Sequence, residues 1–386
     1  MTVQNTSTIC PMPFNSVSYS MVGTIGPCTL CSLTNYSSIP QYWNSKEVIQ
    51  LRTDMINGVR NPACNECYSR EDVGAWNTRQ SLLERVTDYE WAKIENPTIE
   101  QLWFRFSNLC NYMCVDCHET TSSLIRKEDM DRGLFDKTKP IVIYPGNDPN
   151  LALTEAKEHV HTIKTISFSG GEPLVHWQMY DMLNHMIDNK VKPTLGYYTN
   201  LSRLENKGQR LTDLWNHFDK VRIYVGFDAM GDGCDYFRKK MSFDGTIENI
   251  NTVRRDSPQV SICVVVTFTW VNAINAVKMI HWFNKNYPLQ EITMNLVLHD
   301  HLDMRLAPEF KKKQIEESIR TLFDIKNPYF NVEMIDGLIN YLWGGDKSHK
   351  FPEALKWIKD LDEWRKQDFR IAFPEHQDIK SEDYLK

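Results

Sequence analysis

Positive charge is in short supply in this 386-residue chain: 44 lysines and arginines stand against 50 aspartates and glutamates, for a formal net charge of -6. That balance argues against a broad electrostatic footprint for nucleic acid, while leaving room for a local basic groove. Long apolar runs are missing too, and no segment approaches the roughly 20 apolar residues that span a bilayer. Residues 1–30 lack the basic start and apolar core of an export signal. The expectation is a soluble, cytoplasmic protein with no membrane partner. Without export, a disulfide framework is not expected either. Internal repeats and low-complexity tracts are also absent, which excludes repeat-built architectures.

Cysteine, by contrast, is plentiful. The ten are Cys10, Cys28, Cys31, Cys64, Cys67, Cys110, Cys114, Cys117, Cys234 and Cys263. Clustered cysteines in a reducing compartment point to metal binding or redox chemistry. Eight of the ten fall within the first 117 residues, so that chemistry is expected there.

Length and patterning divide the chain into three expected domains. Residues 1–98 are rich in Cys, Asn, Ser and Pro. Within them Asn44–Asn57 reads as an amphipathic helix, with Val48, Leu51 and Met55 at helical spacing and Gly58 as its stop. Residues 99–307 alternate strands and helices. Strands are expected at Leu102–Ser107, Thr162–Phe168, Thr194–Thr199, Val221–Phe227, Val260–Thr267 and Glu291–Leu298. Six strands with helices between them imply an α/β fold with a parallel sheet or a partial (β/α)6 barrel, short of the eight units of a complete one. Residues 308–386 are expected to form a helical C-terminal extension. The stretch Asp129–Asn150, with Gly133, Pro140, Pro145 and Gly146, reads either as a lid or as a solvated insertion.

Directly after the first expected strand, Cys110, Cys114 and Cys117 form a Cys-x3-Cys-x2-Cys loop. Three thiolates at this spacing hold three irons of a 4Fe–4S cluster and leave the fourth iron open. An open iron marks a catalytic cluster rather than an electron carrier. Zinc, the other reading, wants four ligands, and only the adjacent His118 offers a fourth at short spacing. Ser169-Gly170-Gly171-Glu172-Pro173-Leu174 follows the second strand. Its glycines permit close backbone approach, and its carboxylate offers acceptors to an ammonium group.

On these motifs the chain resembles the radical S-adenosylmethionine (SAM) superfamily. The resemblance implies that SAM chelates the open iron and is cleaved by one electron to a 5′-deoxyadenosyl radical, with the protein positioning the cofactor. It implies that Gly170, Gly171, Glu172 and Pro173 bind the amino group of SAM and that Asn200 contacts SAM at the end of the third strand. It further implies a site role for Asp228 and Arg238, with Arg238 facing the SAM carboxylate. The ordinary alternatives are a helix cap for Asn200 and a surface ion pair for Arg238. Two features depart from the family pattern. Asp116 stands where many relatives carry an aromatic residue against the adenine. The sixth strand ends in His299-Asp300-His301-Leu302-Asp303 instead of a Pro-containing turn. Those side chains read as acid/base groups, as metal ligands or as an ordinary polar loop.

The N-terminal cysteines allow two readings. Cys28-x2-Cys31 with Cys64-x2-Cys67 fits a four-cysteine zinc site, though the gap between the pairs is long for a zinc ribbon and Cys10 is left idle. The other is an auxiliary 4Fe–4S cluster on Cys10, Cys28, Cys64 and Cys67. It rests on Cys10-Pro-Met-Pro-Phe14, Gly26-Pro27-Cys28 and Trp43-Asn44, which resemble the twitch domain, here N-terminal to the barrel. Cys31 is then a bystander or a substitute ligand. Cys263 reads as core. Cys234 reads as a catalytic thiol donating a hydrogen atom or as a loop cysteine without a role. The resemblance implies a peptide or protein substrate and an electron donor such as flavodoxin or ferredoxin. A small-molecule or nucleotide substrate is the alternative, and a non-catalytic iron–sulfur or zinc protein is the alternative of another class.

Overall fold

The computed structural model describes residues 7–20, 23–72, 77–84, 92, 97–297 and 299–380. The backbone divides into two compact units. One comprises Met1–Asn111, Glu119–Tyr198 and Glu205–Val221; the other comprises Tyr112–His118, Thr199–Leu204 and Arg222–Lys386. Both are mixed α/β with parallel strands at the centre.

In the first unit, alternation of apolar and polar residues builds the sheet. Ser16–Tyr19, Gln101–Arg105, Thr165–Ser169 and Thr194–Thr199 run parallel, in register through Val17, Leu102, Ile166 and Leu195. Every second side chain points to one face, so Val17, Leu102, Phe104, Ile166, Phe168, Leu195 and Tyr197 are buried together. Phe104 stacks on Phe106 at 4.6 Å and Phe168 on Tyr197 at 5.0 Å. Burying each such ring contributes about 1.5–3 kcal/mol. The helix Leu211–Trp215 covers this face, with Trp215 edge-on to Tyr197 at 5.4 Å. The opposite face carries Trp103, Arg105 and Ser167, which are half-buried, and Tyr198, which is exposed. The strand Ser16–Tyr19, and its antiparallel partner Ile25–Gly26, are not anticipated by periodicity. Ser-Val-Ser-Tyr is too short and too polar to stand out from a loop.

The N-terminal helix forms at Lys46–Ile56, where Ser45 accepts the Val48 N–H and Val48, Leu51 and Met55 are buried. It is tied to the chain start by the Thr8 hydroxyl, which donates to Met55 O at 2.8 Å. Arg52 from the same helix donates to Pro13 O at 2.8 Å.

In the second unit, Val260–Phe268 and Glu291–Leu296 pair in parallel, with Val264 opposite Ile292 and Val266 opposite Met294. Val221–Gly226 lies beside Val260–Phe268. The helix Ala273–Asn286 packs on Glu309–Arg320, which packs on Glu333–Trp343. The last long helix is Phe351–Arg365. No helix among the described residues is long and apolar enough to cross a membrane.

Candidate functional site

The first unit holds Cys110 and the glycine strand end. As Thr165–Ser169 finishes, Gly171 N–H donates to Ser107 O at 3.2 Å and Glu172 N–H to Leu109 O at 2.8 Å. Two backbone bonds therefore stitch the Gly-Gly-Glu segment to the stem of the cysteine loop. The stitch needs glycine: a Cβ on Gly171 would lie 2.1 Å from Leu109 O. Glu172 is buried, and its carboxylate accepts the Leu174 N–H at 2.9 Å, capping the turn Pro173–Val175. Cys110 N–H donates to Ser123 Oγ at 3.2 Å. Asn108 clamps the long connection after the first helix, accepting the Ile143 N–H at 2.9 Å and donating to Ile141 O at 3.1 Å.

The second unit holds Cys114 and Cys117. Met113–Cys114 pairs antiparallel with Arg238–Lys239, Cys114 opposite Arg238. Val115 N–H donates to Phe237 O at 2.8 Å, extending the ladder. Arg238 makes a buried ion pair with Asp228, Nε to Oδ2 at 2.6 Å, and its Nη1 lies 3.9 Å from Cys114 Sγ. It is thus neither exposed nor a surface pair. Gly226 makes room for it, since a Cβ there would meet the guanidinium at 2.5 Å. Burial works against the charge of Arg238, but Asp228, Cys114 and Asp116 outweigh it and hold the guanidinium protonated. Asp228 also accepts the Thr267 N–H at 2.8 Å, and its carbonyl accepts from Asn272. Burial and the nearby charge of Asp228 push Asp116 up to about 6. Arg365 donates to Met113 O at 3.1 Å.

Of the five N-terminal cysteines, all in the first unit, Cys10, Cys28, Cys31 and Cys64 draw together in an apolar cluster with Ile9, Phe14, Leu51 and Met55, and Cys67 lies within electrostatic reach of Cys10 and Cys28. Cys64 and Cys67 sit one turn apart where the turn Pro62–Cys64 runs into the helix Asn65–Asp72. Ser32 N–H donates to Ala63 O at 3.0 Å, bringing the two Cys-x2-Cys segments side by side. Cys10 is within electrostatic reach of Cys28 and Cys67, and Cys64 of Cys10 and Cys28. Burial and the neighbouring Cys31 push the Cys28 thiol up to about 11. Cys31 and Cys64 face each other; Cys31 ionises more readily while Cys64 is held protonated. None of the ten cysteines is in a disulfide. Among the described residues no three His, Cys, Asp or Glu side chains are arranged to hold a single metal ion.

Residues 104–273 match the family described as the radical SAM superfamily. The chain carries a radical SAM superfamily domain. Such domains belong to enzymes that use SAM at a 4Fe–4S cluster. Similar solved structures include anSMEcpe with bound AdoMet, at 16% identity and a TM-score of 0.41, covering 59% of this chain and 58% of that one. Streptococcus suis SuiB bound to S-adenosylmethionine is 12% identical with a TM-score of 0.38, covering 80% of this chain and 67% of that one. SuiB bound to the precursor peptide SuiA is 10% identical with a TM-score of 0.34, covering 94% and 74%. The chain spans 58% of the length of the first of these. No curated protein matches it.

Within the radical SAM domain, Asn200 is buried and accepts the Ser202 N–H at 3.0 Å, closing the turn after the third strand. Cys234 is buried in the short helix Asp232–Phe237, and burial pushes its thiol up to about 12. Beyond the domain, His299 and His301 gather against Trp357, with ring centres 5.0 and 5.3 Å from the indole, and His299 lies 5.7 Å from His118. Burial and the two neighbouring imidazoles push His299 down to about 4.

Proposed function

We propose that this protein is a radical SAM enzyme that cleaves SAM reductively at a 4Fe–4S cluster on Cys110, Cys114 and Cys117 and modifies a peptide or protein. The observation that carries the reading is the backbone stitch from Gly171 and Glu172 to Ser107 and Leu109. It fixes the glycine strand end beside Cys110 in a domain that matches the superfamily. Bound there, cluster and SAM supply a 5′-deoxyadenosyl radical. The chain's own work is to bind and orient. Gly170, Gly171, Glu172 and Pro173 shape the SAM amino-group site, and Asn200 and Asp228, which follow the strands Thr194–Thr199 and Val221–Gly226, are proposed SAM-binding residues. Arg238, anchored by buried Asp228, keeps a fixed positive charge beside Cys114. Cys234, kept as a thiol by burial, is the proposed hydrogen-atom donor to a substrate radical.

In this reading residues 99–307 are the partial (β/α)6 barrel, 1–98 a twitch-like domain and 308–386 a helical extension. The gathering of Cys10, Cys28, Cys31 and Cys64, with Cys67 in electrostatic reach of Cys10 and Cys28, supports an auxiliary 4Fe–4S cluster on Cys10, Cys28, Cys64 and Cys67, with Cys31 as substitute ligand because it faces Cys64. Sulfur is the donor that both iron–sulfur clusters and zinc accept. The peptide substrate follows from the resemblance to auxiliary-cluster enzymes, as does a flavodoxin or ferredoxin donor. Anaerobic reconstitution tests the two centres separately. About eight irons per chain are expected for two 4Fe–4S clusters. About four irons with one zinc would replace the auxiliary cluster by a zinc site. Absence of SAM binding at full iron loading would refute the enzyme reading.

A further inference from the structure

The cysteine loop is packed against a distant part of the chain. Tyr112–His118 groups with Thr199–Leu204 and Arg222–Lys386, while Asn111 and Glu119 on either side belong to the first unit. One helix that lies beyond the superfamily match, Phe351–Arg365, reaches this segment at both of its ends.

At the Cys114 end three residues close on one another. Met113 stands opposite Lys239 in the short ladder. The Lys239 ammonium donates to Arg365 O at 3.1 Å, and the Arg365 guanidinium donates to Met113 O at 3.1 Å. A last-turn arginine is favourable with its charge left in water. Arg365 is instead only 7% exposed. Taking it out of water is a cost, which its bond to the loop backbone offsets.

At the Cys117 end the link is made of rings. Trp357 lies about two turns before Arg365, roughly 12 Å along the helix axis. Its ring is 5.0 Å from His299 and stacks on His301 at 5.3 Å. His301 N–H donates to His299 Nδ1 at 3.2 Å, which fixes that imidazole in place. His299 in turn lies 5.7 Å from His118, the residue after Cys117. The helix therefore meets the loop beside each of its last two cysteines.

We propose that Phe351–Arg365 is the scaffold of the Cys114–Cys117 loop, with Arg365 as the positioning residue for Cys114 and the Trp357–His299 stack as the support for Cys117. The C-terminal extension is then part of how the SAM site is built, and not an appended tail. This rests on the reading of Cys114 and Cys117 as cluster ligands. It adds the residues that set where their sulfurs stand, a placement that functional sites hold to within about 0.5 Å.

The first test needs no iron. Hydrogen–deuterium exchange of the full metal-free chain is read by mass spectrometry for the wild type, Arg365→Ala, Arg365→Lys and Trp357→Leu. Loss of a hydrogen bond from a charged donor shifts an opening equilibrium about tenfold or more. Arg365→Ala is expected to speed exchange across residues 112–118 by that factor and to leave residues 62–67 unchanged. Arg365→Lys, which still donates to Met113 O, should restore part of the protection. Trp357→Leu should loosen the same segment with Arg365 intact, and it carries the test if Arg365→Ala does not fold. Unchanged exchange at 112–118 in these variants overturns the proposal. An equal rise across the whole chain makes the helix a general stabiliser and overturns it too. Arg365→Lys behaving like Arg365→Ala assigns the residue to packing, with the same consequence.

The second readout is the EPR spectrum of the anaerobically reconstituted, reduced chain. Its change on adding SAM is expected to need about tenfold more SAM in Arg365→Ala and to return part-way in Arg365→Lys. An unshifted SAM dependence overturns the positioning role. A wild type whose spectrum ignores SAM sinks the enzyme reading instead, while the metal-free exchange still decides the scaffold, so the two claims fail separately.

Discussion

The two cysteine sites are built on opposite plans. The N-terminal thiols sit among Ile9, Phe14, Leu51 and Met55 in an apolar cluster, and burial makes Cys10 and Cys28 hard to ionise. Cys110, Cys114 and Cys117 are all half-buried, and Cys114 has a cation beside it. Low dielectric around sulfur favours neutral thiols, while an adjacent guanidinium favours the thiolate. On the proposed reading, the difference would separate a site closed by its own protein ligands from one that leaves a position for a second molecule.

The sharpest break of this comparison comes from removing one thiol on each side. Cys114→Ala is expected to lose about four irons per chain and all 5′-deoxyadenosine formation, while Cys28→Ala loses a similar amount of iron and keeps SAM cleavage. Iron analysis with product quantitation checks both. Loss of cleavage in both variants would merge the two sites into one functional unit. Next in size is Arg238→Gln. It leaves Asp228 buried without its partner, at a cost of about 3–5 kcal/mol in denaturant unfolding. In a reconstituted sample it also removes the charge near Cys114, so the midpoint potential of that cluster should fall. An unchanged potential would make Arg238 purely structural. Gly171→Ala comes third: its Cβ would meet Leu109 O at 2.1 Å. The expected loss is about 1–3 kcal/mol of stability, with weaker SAM binding by titration and no loss of iron at the N-terminal site.

The smallest expected effect is on acid stability. His376 donates to Val271 O at 2.7 Å, and burial pushes its pKa down to about 4. An unfolded histidine titrates near pH 6.5. The folded imidazole stays neutral below that point, so its contribution is intact above about pH 6.5 and is lost as pH falls toward 4. Unfolding midpoints of His376→Gln should therefore depend less on pH across this window than those of the wild type. An identical slope would remove His376 from the account.

Much of this was legible in the sequence. The strand expected at Thr194–Thr199 forms over those residues, and the helix expected at Asn44–Asn57 forms at Lys46–Ile56. These elements announce themselves by local period and capping. The cysteine spacing and Gly-Gly-Glu-Pro were legible because each is a short contiguous pattern. What escaped depends on pairing far along the chain. The ladder between Met113–Cys114 and Arg238–Lys239 joins segments of two residues each, too short for any period. Gly226 looks like an ordinary strand residue until Arg238 is laid across it. The Asp228–Arg238 pair was named residue by residue, but its burial follows from packing and not from composition.

The most direct test of the central claim is the yield of 5′-deoxyadenosine when the anaerobically reconstituted chain is mixed with SAM and dithionite. The account predicts that the wild type forms it, that Cys28→Ala still forms it and that Cys114→Ala forms none. A fully iron-loaded wild type that leaves SAM intact would contradict it.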